Sequence, residues 1–296
     1  VHSNGSIDVN IFDGVSIDFE REFMTFALER QAILERRQAG LPPPWTDDPT
    51  LRRYHFSNIF RDDDRVSKFV FEWVRPTTVN LPALFANLAY ARMCNKPSTM
   101  EATGLLAFPD GSWQTPEFML STFSRLGGKK RAHGRNARPL WVNAYQVPGN
   151  FKQKLGIASR EELIARHVPK VACRAVLELG YGNDDVGSAL ERVNAVWGYN
   201  NDFVFTQVLL DFMTLRPDVV LPSARVPMGS GLQPLIRALG RTYESLIDRT
   251  MELWNADPTR RRMMPKDAEH ALCEFRKYAA WSRGLNKTPK LYRPER

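Results

Sequence analysis

Residues 43–67, PPWTDDPTLRRYHFSNIFRDDDRVS, decide how the chain is read. Pro42, Pro43 and Pro44 lead in, and a run of prolines cannot continue a helix. Trp45 follows, then Thr46-Asp47-Asp48-Pro49, a turn or helix-start signal. From Leu51 the pattern becomes helical, and the spacing predicts a helix over 51–74 that ends before Arg75-Pro76. Tyr54, Asn58, Arg61 and Arg65 stand three or four apart, so one helix face carries them all. Phe56, Ile59 and Phe60 supply the buried side.

That face joins an amide, two guanidiniums and the nearby carboxylate of Asp64, which is spaced to pair with Arg61. An arginine pair suits phosphate oxygens, because its donors are planar and bidentate. The plainer reading is a solvated face with surface pairs, and for Asp62 and Asp63 that reading is preferred.

Outward from this stretch the chain is mostly helical. Residues 16–38 form an amphipathic helix, with Arg36 and Arg37 in the last turn and Gly40 beyond them as a stop. Further helices are expected at 80–95, at Thr99 to Leu106 and at Pro116 to Leu126. Gly127-Gly128-Lys129-Lys130-Arg131 has no GxxxxGK[ST] and is not a P-loop; it reads as a basic loop, either solvated or touching nucleic-acid backbone. Leu140 to Val147 is the best strand candidate. Helices are expected again at 159–166, 168–180, 183–195, 201–215, 231–254 and 265–282, and residues 284–296 read as a basic, frayed tail. Strands and helices do not alternate, which argues against an α/β sheet. The expectation is an all-α protein with one catalytic domain over 16–283, divisible into lobes 16–150 and 151–283.

The 296 residues, 43% hydrophobic, suffice for a substantial core, and the net charge of +8 favours an anionic partner. Cys94, Cys173 and Cys273 make neither a CxxC pair nor a zinc pattern, so a reduced, cytoplasmic protein is expected. No apolar run is long enough to cross a membrane, and none is expected to contact one.

Tyr54 to Arg61, followed by Asp63-Asp64-Arg65-Val66-Ser67, resembles the signature of the alpha-glutamyl/putrescinyl thymine pyrophosphorylase family, and Pro44 to Pro49 fits it too. Asn143 to Val147, Trp197 to Asp211, Gly229-Ser230-Gly231-Leu232 and Leu272 to Tyr278 match in order. The resemblance implies an amino acid:DNA transferase of phage thymine hypermodification. Its substrate would be uracil in DNA bearing a phosphorylated or pyrophosphorylated 5-hydroxymethyl group, and an amino acid or polyamine would displace the phosphate.

Each need of that chemistry has candidates. Cations must face the leaving group, and Arg61, Arg65 and Lys277 are the bets. A base must deprotonate the amine, with Asp64 and Glu274 as candidates and His55 off the arginine face. The pyrimidine must leave the duplex; Asn58 would read its edge, and Tyr145 or Phe203 would stack on it. Asp211 would hold the incoming amine. Core packing is the plainer reading for Tyr145, Phe203 and His55. No cofactor is required, and the run Asp62-Asp63-Asp64 leaves Mg²⁺ open.

Trp197-Gly198-Tyr199-Asn200-Asn201 lies between two helical patterns and looks like the helix-hairpin-helix of DNA glycosylases, with Gly198 and Asn200 on DNA backbone beside Lys129, Lys130 and Arg131. The usual second glycine of that turn is missing. The position of the glycosylase aspartate falls near Ser223 or Ala224, with Asp218 as a shifted alternative. A glycosylase-like scaffold without base excision follows, with a DNA-binding helical partner of a hydroxymethyluracil DNA kinase, or a true glycosylase, as rivals.

Overall fold

A computed structural model describes residues 10–127, 139–142, 147 and 149–285. It is mainly helical. The helices run α1 (Phe19–Gln38), α2 (Pro49–Arg53), α3 (Arg65–Val74), α4 (Leu81–Cys94), α5 (Pro97–Thr103), α6 (Pro116–Gly127), α7 (Phe151–Leu155), α8 (Arg160–Glu162) and α9 (Val168–Leu179). After strand β1 (Asn183–Asp185) come α10 (Val186–Trp197) and α11 (Asp202–Leu215). Strand β2 (Val220–Arg225) precedes α12 (Gln233–Leu239), α13 (Tyr243–Asn255) and α14 (Pro265–Ser282). The chain forms two compact units, one of Val1–Asp64 with Val226–Arg296 and one of Arg65–Arg225. The divisions fall at 64/65 and 225/226, not at 150/151, so the first and last parts of the chain share a unit.

In the first unit, α1 starts where Asp18 accepts the Arg21 N–H, and its ends are charged to suit the helix dipole, with Glu20 and Glu22 first and Arg36 and Arg37 last. Its apolar face carries Phe19, Phe23 and Phe26, whose rings meet Phe275 of α14 at centroid distances of 5.9, 5.7 and 6.0 Å. Ile59, Phe60, Trp254 and Leu272 complete this core.

The expected helix over 51–74 does not form. α2 stops at Arg53, Tyr54 is extended, Arg61–Asp63 make a single 3-10 turn, and helix resumes only at Arg65. Tyr54, Asn58, Arg61 and Arg65 therefore share no helix face. The reason is non-local. The buried Arg30 of α1 donates to the carbonyls of Ser57 and Phe56 and to Asn58 Oδ1. Those partners satisfy the backbone groups that a helical ladder would otherwise take. Asp62 and Asp63 are likewise not mere solvating charges. Lys266 Nζ lies 2.7 Å from Asp62, and Arg261 3.2 Å from Asp63. The expected helix 231–254 is two: Gly240, at φ +60°, closes α12, and Thr242 caps α13.

The second unit is built around α4, which is buried on all sides from Ala83 to Cys94. A helix apolar all round belongs inside a domain. Its two strong polar groups are satisfied within the unit. Asn87 bonds the Leu106 N–H and the Ala107 carbonyl, and Arg92 forms a bidentate pair with Asp211 at 2.6 and 2.7 Å. α8 runs into α9 through a widened π turn, Leu163–His167. Pro169 has no N–H for the carbonyl four residues back, which accounts for the widening. β1 and β2 pair in parallel, a small sheet the sequence did not announce. The strand expected at 140–147 lies partly outside the described residues; Val142 donates to the Cys94 carbonyl without joining a sheet. Among the described residues no helix is long and apolar enough to cross a membrane.

Candidate functional site

In the first unit, α14 carries Glu269, His270, Cys273, Glu274, Arg276 and Lys277. At about 100° per residue these six fall within one half of the helix circumference. Ala271, Leu272, Phe275 and Ala279 fill the other half and are buried in the core. The sequence thus folds into a helix with one apolar and one chemically dense face.

The extended segment 54–60 walls one side of that face. Glu274 accepts the Ser57 N–H through Oε2 at 3.0 Å and pairs with Lys277 Nζ through Oε1 at 2.5 Å. His270 Nε2 stands 3.1 Å from the Asn58 carbonyl oxygen. A carbonyl only accepts, so Nε2 carries the proton and Nδ1 of the neutral ring is an acceptor. The turn Gly229–Gly231 walls the other side. Glu269 accepts the Gly229 N–H and the Cys273 thiol, the latter at 3.3 Å. A Cβ on Gly229 would stand 2.6 Å from Glu269 Oε1, so the close approach requires glycine.

This environment pushes the two carboxyls apart. Burial raises Glu269, and the bonds from Cys273 and Gly229 and the charge of Arg61 oppose that only in part. Burial also works against ionised Glu274, but Lys277 and the Ser57 N–H overcome it and lower its pKa. Burial depresses His270, so the ring is biased towards neutral. The Cys273 thiol is pushed well up by burial and then by Glu269. A carboxyl pair with opposed acid strengths, set among cations, can divide proton transfer between its members. Arg61 is buried at 4% exposure in this unit and acts on Glu269 and His270. Arg276 adds a guanidinium whose Nε is buried with no partner, and which pairs with no carboxylate among the described residues.

Of the sequence candidates, Glu274 and Lys277 pair on α14, and Arg61 acts on Glu269 and His270 of the same helix. It disposes of other candidates differently. The Asn58 side chain is occupied by Arg30 and by the Asp63 carbonyl, so it shapes the segment instead of lying open to a base. His55 is exposed on the same segment. Asp64 closes the 3-10 turn with its N–H on the Arg61 carbonyl, and Arg65 is the exposed first residue of α3, in the other unit. Asp211 is fully buried against Arg92 and is a scaffold residue, not an anchor for an amine. Phe203 is 50% exposed on α11. Gly198, at φ +83°, ends α10, and Asn200 is exposed, but the N–H groups of Gly198 and Asn201 are spent on Asn194. Ser223 lies on β2, and Asp218 is gripped by Arg216 at 2.8 and 2.5 Å. Tyr145, Lys129, Lys130 and Arg131 lie outside the described residues. Among the described residues no three His, Cys, Asp or Glu side chains converge as metal ligands.

The sequence reading missed Glu269, His270, Cys273, Arg276 and Arg30. For the first four a signal was there: Glu269-Cys273-Arg276 and His270-Glu274-Lys277 both repeat at helical spacing.

Residues 18–218 match the family described as "5-hmdU DNA kinase, helical domain". The chain belongs to that family. A 5-hmdU DNA kinase of Bacillus phage SP10 is 30% identical over 125 residues, which make up 40% of this chain and 18% of the phage protein. The chain thus spans far less than two thirds of that relative. No solved structure matches. The match does not extend to the thymine pyrophosphorylase family that the sequence resembles. The match covers α1 to α11 and stops before α14, so the polar face of α14 lies beyond the segment that defines the family.

Proposed function

We propose that this chain hypermodifies thymine derivatives in DNA, replacing the phosphate or pyrophosphate of a 5-phosphomethyl-uracil with the amine of an amino acid or polyamine. The observation that carries this reading is the opposed pair Glu269 and Glu274 among Arg61, Arg276 and Lys277. The amine nitrogen bonds to the methylene carbon while the carbon–oxygen bond breaks, and phosphate leaves with the electron pair. Arg61 and Arg276 offset the charge gathering on phosphate. Glu269, the more basic carboxylate, takes the proton the amine releases. Glu274 stays ionised and holds Lys277 beside the leaving group. Guanidiniums and an ammonium supply the cations, so the step needs no metal. Lys129, Lys130 and Arg131 are read as contacts with DNA backbone; the Gly198–Asn200 turn, whose flanking N–H groups are engaged by Asn194, is left out of that contact.

The family match favours a second reading, in which the chain binds 5-hmdU DNA for a kinase and performs no transfer. One assay separates the two. The protein is incubated with phosphomethyl-uracil DNA and mixed amino acids and polyamines, and the DNA is digested and its nucleosides weighed. A new amine-bearing nucleoside supports transfer. Unchanged DNA that the protein still binds supports the second reading, and free base supports excision. In the transfer reading Arg61→Ala cuts turnover far more than DNA affinity; equal losses would demote Arg61 to a backbone contact.

A further inference from the structure

The proline-led stretch that opens the first unit's signature has no part in the chemistry above, yet it lines a cavity. The cavity measures about 300 Å³, at the small end of ligand sites. Trp45, Tyr54, Phe56, Arg30, Arg37 and Arg52 are among the residues that line it, and no carboxylate residue does. Arg30 is buried at 6% exposure, on the carbonyls that fix the extended segment. Arg37 lies 5.2 Å over the Trp45 ring. Among the described residues neither Arg37 nor Arg52 pairs with a carboxylate.

We infer that this cavity is a binding site for a single pyrimidine nucleotide. The ligand class follows from the lining. Three cations without a wall carboxylate select an anion and repel a polyamine. Trp45, Tyr54 and Phe56 together give the lining an aromatic character that favours a flat ring, which an aliphatic acid cannot match. The volume admits one ring with its phosphate and excludes a folded partner. The site is separate from the polar face of α14: Phe56 belongs to the cavity, and its neighbour Ser57 to Glu274. A strand of DNA could place one nucleotide here while chemistry or simple binding proceeds elsewhere, so the site does not depend on the transfer reaction.

The test reads binding without turnover, by calorimetry on the full chain. The probes are dTMP, thymidine, inorganic phosphate, glutamate and putrescine. The expected result is that dTMP binds about tenfold or more tighter than any other probe. Trp45→Leu and the double charge reversal Arg37→Glu, Arg52→Glu should each weaken dTMP about tenfold, because they remove the stacking surface and the cations respectively. Both variants alter exposed or half-buried rim residues, and their unchanged thermal midpoints are checked alongside. No dTMP binding at millimolar concentration, equal affinity for dTMP and thymidine, tighter binding of glutamate, or folded variants that bind like the parent would each overturn the assignment. Loss of transfer activity with dTMP binding intact would count against the transfer reaction alone.

Discussion

Glu274 on α14 accepts the backbone N–H of Ser57 at 3.0 Å, across 217 residues of chain. This bond holds the extended segment against the polar face of the helix, and Lys277 completes the carboxylate's shell at 2.5 Å. Glu274→Ala strips both partners, and Lys277 at 35% side-chain exposure can rehydrate, so the cost should be about 1–3 kcal/mol. Glu274→Gln keeps an acceptor for Ser57 and should cost less. Urea unfolding followed by circular dichroism measures both; equal costs would mean that the Ser57 bond contributes nothing.

Gly229 and Glu269 should be coupled. Gly229→Ala sets a methyl 2.6 Å from Glu269 Oε1, at an ordinary negative φ, so the clash with that carboxylate is the whole difficulty. In a Glu269→Ala background the same change should be nearly free. A double-mutant cycle should return a coupling of about 1–3 kcal/mol. Additive effects would show that the glycine is there for another reason.

Asp267 gives the fold a pH signature. Burial pushes its carboxyl up to about 6, only partly opposed by Lys266 and the Met264 N–H. A carboxyl whose folded pKa stands above its unfolded value binds more protons folded than unfolded. Stability from this group is therefore present below about pH 4 and lost as pH rises through about 6, by about 2–3 kcal/mol. Asp267→Asn keeps the cap on Met264 and removes the titration. The difference in unfolding free energy between parent and variant, measured at pH 4 and pH 7, should change by that amount in favour of the variant at pH 7. A constant difference would refute the raised pKa.

The Arg92–Asp211 pair should behave as scaffold. Asp211→Ala takes two charge-assisted bonds from a fully buried guanidinium and should cost about 3–5 kcal/mol. Thermal and urea melts check this. A variant that melts like the parent but loses affinity for the amine donor would restore Asp211 to the substrate.

Much of the chain was legible because helix signals are local. The start of α1 at Asp18, its basic last turn and the apolar half of α14 follow from spacing and caps within a few residues. Gly240 and Thr242, which divide 231–254 into two helices, are stop and cap signals of the same local kind. Residues 54–60 misled for a different reason. Their side chains keep helical spacing, but their backbone partners come from Arg30, His270 and Glu274.

The sequence by itself determined that this is a mainly helical chain with a net charge of +8, and it placed Glu274 and Lys277 on a common helix face. Periodicity and capping are short-range, so one strand of text contains them. Only the tertiary structure decided that Arg61 acts on that face from a 3-10 turn, that Glu269 and Glu274 differ in acid strength, and that Asp211 is internal. Burial and the satisfaction of backbone and charge depend on residues far apart in the chain, and those terms exist only once it has folded.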